Sequence, residues 1–112
     1  MGIRQGQSEF VLDVAKLIVY ADSIGIELTF GDAFRSNEQQ AIYFDTGKSK
    51  VRHSNHQDRL AIDFNYFIDG KLTYDVNDVK ELGLYWESLN ELNEAGMLWS
   101  WKDTPHFQRN KG

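Results

Sequence analysis

Two short segments gather the side chains able to do chemistry: Ser54-Asn55-His56-Gln57-Asp58-Arg59-Leu60-Ala61-Ile62-Asp63 and Asp103-Thr104-Pro105-His106. Between them they supply the imidazoles of His56 and His106 and the carboxylates of Asp63 and Asp103. Cysteine is absent, so a transition-metal site here must use nitrogen and oxygen donors, and a thiolate site is excluded. Two imidazoles and one carboxylate make the open three-ligand set that catalytic zinc uses, with water in the fourth position. A site of that kind hydrolyses.

Position along the chain limits how these groups can meet. His56 and Asp63 are seven apart, an odd separation that on one continuous strand would send them to opposite faces. They converge only if a loop bearing His56 turns over the strand bearing Asp63, and Gln57-Asp58-Arg59 is polar enough to be that loop. His106 follows the chain's single proline, which restrains the backbone that would fold it in beside them.

The remaining chain reads as the scaffold. Ser8 can cap a first helix whose apolar residues Phe10, Val11, Val14, Leu17, Ile18 and Ala21 recur at helical spacing, with Gly25 ending it in the left-handed conformation. Ile26 to Phe30 alternates as a half-buried strand does, and Arg35 sits where strand gives way to helix. Ser36 with Gln39 matches a capping box, which predicts a second helix from Asn37 to about Phe44, ended near Gly47. Lys48 to Asp58 is polar and without period, a loop. Leu60, Ile62 and Phe64 alternate with Ala61, Asp63 and Asn65, so Asp63 should face away from the apolar side of a strand.

Asp69-Gly70 is a strong hairpin signal between Tyr66-Phe67-Ile68 and Lys71 to Tyr74. Asp75 or Asn77 can cap a third helix with the stripe Val79, Leu82, Trp86 and Leu89, taken to end at Ala95-Gly96. Met97-Leu98 would begin a last strand, were position 98 not part of a denser aromatic run, Leu98-Trp99-Ser100-Trp101. Residues 108–112 read as a polar, frayed tail. The expectation is one α+β domain over 1–112, a small antiparallel sheet with about three helices.

Composition narrows the function classes. A chain of 112 residues with 41% apolar and 13% aromatic content can bury one core without disulfides. The formal net charge of -5 gives no support to a nucleic-acid partner. No apolar run approaches bilayer-spanning length, and Met1 to Gln7 lacks the apolar core of a secretory signal, so a soluble product made in the cytoplasm is expected, and a monomer.

Ser54-x-His56-x-x-Arg59-x-Ala61-x-Asp63 resembles the S-x-H-x-x-G-x-A-x-D signature of the zinc D-alanyl-D-alanine carboxypeptidases and L-alanyl-D-glutamate endopeptidases, which share a fold with the hedgehog signalling domain. Asp103-x-Pro105-His106-Phe107 resembles the family's second signature, D-x-P-H-F. Phe34-Arg35-Ser36 followed by Glu38-Gln39 is similar to its upstream Y-R-S-x-x-E-Q segment. The three motifs fall in family order over roughly Phe30 to Gln108. They look most like the short phage and prophage members, in which an R-L-A-I-D strand precedes a D-G hairpin and a Y-W-E helix, as in Arg59 to Asp63, Asp69-Gly70 and Tyr85-Trp86-Glu87.

The resemblance implies a hedgehog/DD-peptidase fold, zinc (Zn2+) held by His56, Asp63 and His106, Asp103 as general base, and Arg35 stabilising the developing oxyanion. Ser54 would orient or contact substrate, and Arg59, with Lys48, Lys50 and Arg52, would meet its carboxylates. The implied substrate is the peptidoglycan stem peptide, cut as an endolysin does or locally during phage entry. A non-catalytic metal- or wall-binding module on the same scaffold is the competing reading, and Asp103 argues against it.

Arg59 stands where the family has glycine, and Ala95-Gly96-Met97-Leu98 replaces a common glycine pair. Arginine is not expected where a backbone needs positive φ, so either the loop takes another path or short members do without the glycine. Plainer roles stand beside the catalytic ones. Arg35 reads equally as a partner of Asp32 or Glu38, His53 as a surface residue, Trp99 and Trp101 as packing, and Glu81, Glu87, Glu91 and Glu94 as a solvated helix face.

Overall fold

The structure, a computed structural model, describes residues 2–47 and 55–111. Helix α1 runs Ile3–Ser23 and buries Phe10, Val14, Leu17 and Ala21 along one stripe, with Gly25 at φ 80° reversing the chain after it. It starts at Gly2 rather than at the expected Ser8, which lies inside the helix. Val11 and Ile18, expected in the core, are exposed at 63% and 37%, while the polar Asp13 is buried and accepts a hydrogen bond from Asn93 at 3.0 Å.

Strand β1, Glu27–Phe30, leads to helix α2, Asn37–Asp45, whose first turn is closed by Ser36 Oγ accepting from the Gln39 N–H at 3.1 Å. Residues 55–59 form a turn, and strand β2, Ala61–Ile68, follows. Asp69 (φ 51°) and Gly70 (φ 79°) make the two-residue reversal into strand β3, Lys71–Thr73. Asp75 caps helix α3, Val76–Leu89, which buries Val79, Leu82 and Trp86.

α3 stops at Leu89, short of the expected Ala95-Gly96. Asn90 leaves the helical region, and its side chain accepts from the Leu92 N–H, as asparagine does in turns. Strand β4, Asn93–Ala95, a 3-10 turn over Gly96–Leu98, and a last strand β5, His106–Arg109, complete the chain. Gln108 and Arg109, expected in a frayed tail, therefore belong to β5, where Arg109 is buried and paired with Glu9 at 2.9 Å.

The sheet order is β1-β2-β5-β4, all neighbours antiparallel, with β3 also pairing with β2. Its inner face carries Ile62, Phe64, Tyr66 and Phe107 against Phe10, Leu17, Val79, Leu82 and Trp86 from α1 and α3. Phe107 meets Trp86 edge-on at 5.8 Å and Phe64 at 6.1 Å, the geometry aromatic pairs prefer. The α+β class with three helices and a small antiparallel sheet holds. Among the described residues, no helix is long and apolar enough to cross a membrane.

Candidate metal centre

Register brings the first two groups together. In the β2/β5 pair Asp63 lies opposite His106, while Ile62 opposite Phe107 occupies the core face. Cross-strand partners project to the same side, so the carboxylate and the imidazole meet on the sheet's outer face. Asp63 is pinned by its backbone: its N–H donates to Asp32 O at 2.7 Å and its carbonyl accepts from the Gly31 N–H at 2.8 Å. A Cβ on Gly31 would sit 3.1 Å from both Asp63 Cβ and Asp63 O, so the approach favours glycine there.

The turn before β2 delivers the third group. Leu60 N–H donates to Asn55 O at 2.9 Å, and Arg59 turns the chain at φ 57°. The expectation that arginine would not accept positive φ is thus corrected: the loop keeps the left-handed conformation, and the Arg59 guanidinium lies 4.2 Å over the Phe34 ring, partly offsetting the strain.

His56 Nε2 stands 3.2 Å and His106 Nδ1 3.1 Å from Asp63 Oδ1. The imidazole centroids are 5.0 Å apart at an interplanar angle of 71°, and the two rings are only 1% and 6% exposed. Tetrahedral zinc at its usual bond lengths separates its donors by about 3.3–3.6 Å, and each imidazole nitrogen already lies close to that distance from Asp63 Oδ1. The group is able to hold a metal.

The far nitrogens are also engaged. His56 Nδ1 lies 2.9 Å from Ala33 O, which can only accept, so Nδ1 carries a proton and Nε2 is the atom turned toward Asp63. His106 Nε2 lies 2.8 Å from Gln108 Oε1, leaving Nδ1 as the inward atom. This donor chemistry fits a divalent ion.

Burial works against ionising Asp63, but hydrogen bonds from His106 and His56, with their charges, outweigh it and hold the carboxyl well below the usual range. Burial would lower the His106 pKa, yet its hydrogen bond and attraction to Asp63 raise it above the ordinary value. Asp103 is pushed up, first by burial and also by the Asp63 charge, against opposing contributions from His106, His56 and Arg35. The Asp103 carboxyl is therefore within electrostatic reach of the cluster.

Gly96 holds the Asp103 segment close. Asp103 N–H donates to Gly96 O at 2.9 Å, and a Cβ on Gly96 would fall 2.3 Å from Asp103 O and 3.0 Å from His106 Cβ. Arg35 donates to Gln40 Oε1 at 2.7 Å and to Asp32 Oδ2 at 3.2 Å, and lies 4.7 Å over Tyr43. The pairing with Asp32 anticipated from the sequence is present, and it fixes the guanidinium rather than leaving it free to swing. Ser54, like Lys48, Lys50, Arg52 and His53, lies outside the described residues.

Sequence reading placed Gln108 and Asn110 in a frayed tail. Their signal was the spacing of 106, 108 and 110 at period two, hidden by reading 108–112 as a tail. Glu94, expected on a solvated helix face, instead accepts from Trp99 Nε1 at 2.9 Å and from Asn110. Trp99 also leans on His106, with centroids 5.3 Å apart.

The chain is similar to the crystal structure of Serratia marcescens L-Ala D-Glu endopeptidase ChiX, with a TM-score of 0.77 at 19% identity, covering 92% of this chain and 79% of that one. At that identity the likeness is one of fold. No protein-family model and no curated protein matches the chain.

Proposed function

We propose that this protein is a zinc-dependent peptidase acting on peptidoglycan stem peptides, as an L-alanyl-D-glutamate endopeptidase or a D-alanyl-D-alanine carboxypeptidase. The observation that carries the reading is the convergence of His56 Nε2, Asp63 Oδ1 and His106 Nδ1 within hydrogen-bond distance of one another through Asp63, each imidazole being held by an acceptor at its other nitrogen. A solved protein of the same fold bears the name of an L-Ala D-Glu endopeptidase, which favours the first of the two bonds. The setting proposed is an endolysin-like one, with the cell wall as partner.

His56, Asp63 and His106 would hold the ion. When bound, zinc supplies Lewis acidity, lowering the pKa of a coordinated water to about 7. Asp103 accepts the proton of the attacking water at its carboxylate and returns it to the leaving amine, and the upward push of its pKa by burial improves it as a base. Arg35, held by Asp32, Gln40 and Tyr43, presents fixed positive charge to the negative charge developing on the substrate carbonyl oxygen. Arg59, exposed beside Phe34, offers a charge for a stem-peptide carboxylate, and Ser54 a hydroxyl.

The experiment is zinc stoichiometry followed by stem-peptide cleavage for wild type and Asp103→Ala. Zinc bound by both, with cleavage by wild type alone, is the expected result. Zinc bound by both with cleavage by neither would favour a binding module on the same fold.

A further inference from the structure

The three indoles of the chain are held in three different ways. Trp86 is fully buried in the core. Trp99 is half-buried, with its ring centroid 5.3 Å from that of His106 and its Nε1–H donating to Glu94 at 2.9 Å. Trp101 is 57% exposed and lies against Trp99 with centroids 5.2 Å apart, and no described residue accepts its Nε1–H.

The backbone builds this arrangement. Trp99 N–H donates to Gly96 O at 3.1 Å, Lys102 N–H donates to Trp99 O at 3.1 Å, and Lys102 turns the chain at φ 41°, so both rings sit on one short, closed segment beside the cluster. Packing accounts for Trp99 and not for Trp101. A ring of that size recruited to the core would be buried as Trp86 is.

We propose that Trp101 is a platform for a sugar ring, the N-acetylated hexosamine from which the stem peptide hangs. The inference rests on the reading of the cluster as a peptidase site for peptidoglycan. Two observations select the sugar. The first is chemical: a pyranose carries C–H groups on its faces and oxygens around its rim, and Trp101 offers an apolar face with an N–H at its edge. An aliphatic side chain would use the face alone.

The second is distance. Two ring-to-ring steps, of 5.2 and 5.3 Å, separate Trp101 from His106, which is at most about three residue-lengths of extended chain at ~3.3–3.6 Å each. The carbonyl of the first L-alanine of a stem peptide is joined to the sugar through that residue and a lactyl group, about two residue-lengths. The bond between terminal D-alanines lies about five residue-lengths from the sugar, ~17 Å, too far for a ring on this platform. Trp101 therefore also selects the L-alanyl-D-glutamate bond.

Two peptides test this, identical from L-alanine onward, one carrying an N-acetylmuramoyl group and the other an N-lactyl cap alone. Wild type is expected to favour the sugar-bearing peptide about 10-fold in kcat/KM, chiefly through KM, the worth of one stacked ring. Trp101→Ala should abolish that preference, and Trp101→Phe, which keeps a ring, should retain part of it. Binding is read without turnover in Asp103→Ala. There the Trp101 indole N–H resonance, assigned by its absence when Trp101→Phe is added, should shift on titration with the sugar-bearing peptide and stay in place with the lactyl one.

A preference that survives in Trp101→Ala overturns the platform, and so does equal cleavage of the two peptides by wild type. An indole shift of the same size with both would give the ring to a peptide side chain and overturn the sugar. If wild type cuts neither peptide, the peptidase reading fails, and the titration still decides: a sugar-dependent shift sustains the platform, and no shift overturns it.

Discussion

Arg59 is the residue at which local backbone preference and the shape of the site conflict most directly, and the conflict has a measurable size. Its φ of 57° places Cβ against the following carbonyl, at a cost of about 1–2 kcal/mol. The guanidinium 4.2 Å over Phe34 returns about 0.5–1 kcal/mol at an exposed position. Glycine would relieve the strain but lose that contact and add about 0.4–1 kcal/mol of unfolded-state entropy, so wild type and Arg59→Gly should lie within about 1 kcal/mol of each other.

The informative comparison is Arg59→Gly against Arg59→Ala, since neither carries the guanidinium. Alanine keeps the strain and glycine does not, so the glycine variant should be the more stable by about 1 kcal/mol, the strain relieved less the added entropy. For a domain of this size that corresponds to about 4 °C in thermal midpoint. Paired thermal and urea unfolding of the metal-free variants measures it. An alanine variant as stable as the glycine one would refute a left-handed turn at 59, and with it the route by which His56 reaches Asp63.

Other perturbations bear on the site itself. Asp103→Asn should lower kcat by about 10²- to 10⁴-fold, the usual contribution of a general base, at unchanged zinc stoichiometry; loss of zinc in this variant would make Asp103 a ligand instead. Gly96→Ala must move the Asp103 carbonyl or His106, so it should cost about 1–3 kcal/mol in urea unfolding and weaken zinc binding; full stability would mean the two segments lie farther apart. Stability should respond to pH with a definite sign. The His106 pKa is raised on folding above its ordinary 6.5, so the stability it contributes is complete below that value and lost as pH rises through the folded one. The Asp63 pKa is depressed, so its contribution is present above the ordinary 3.8 and lost only in strong acid. Metal-free thermal midpoints should therefore fall as pH rises above the ordinary 6.5, while saturating zinc, which competes with protons for the same nitrogens, should reverse the slope. Identical slopes with and without zinc would contradict the shared site.

What could be read from the sequence followed local rules. Asp69-Gly70, the Ser36 and Asp75 caps, Gly25 and the alternation around Asp63 each depend on one or two neighbouring residues, and each holds. The convergence of His56, Asp63 and His106 was anticipated from residue types and motif order, because an odd spacing left a turn as the only way for them to meet. What failed depended on distant partners. Residues 108–110 look like a polar tail until β2 and β4 are there to pair with them. Glu94 looks like a helix-surface acid until α3 stops at Leu89. Val11 looks like core, yet it is Asp13 that is buried on this helix, against Asn93.

The order of the strands has a consequence for folding. β5 lies between β2 and β4, both of which precede it in the chain. Until it inserts, those two strands expose unpaired edges, and His106 is nowhere near its partners. Closing the sheet and assembling the donor set are therefore one and the same long-range step. A folding intermediate lacking β5 should be blind to zinc, and the gain of metal affinity can serve as a clock for the moment at which the central strand docks.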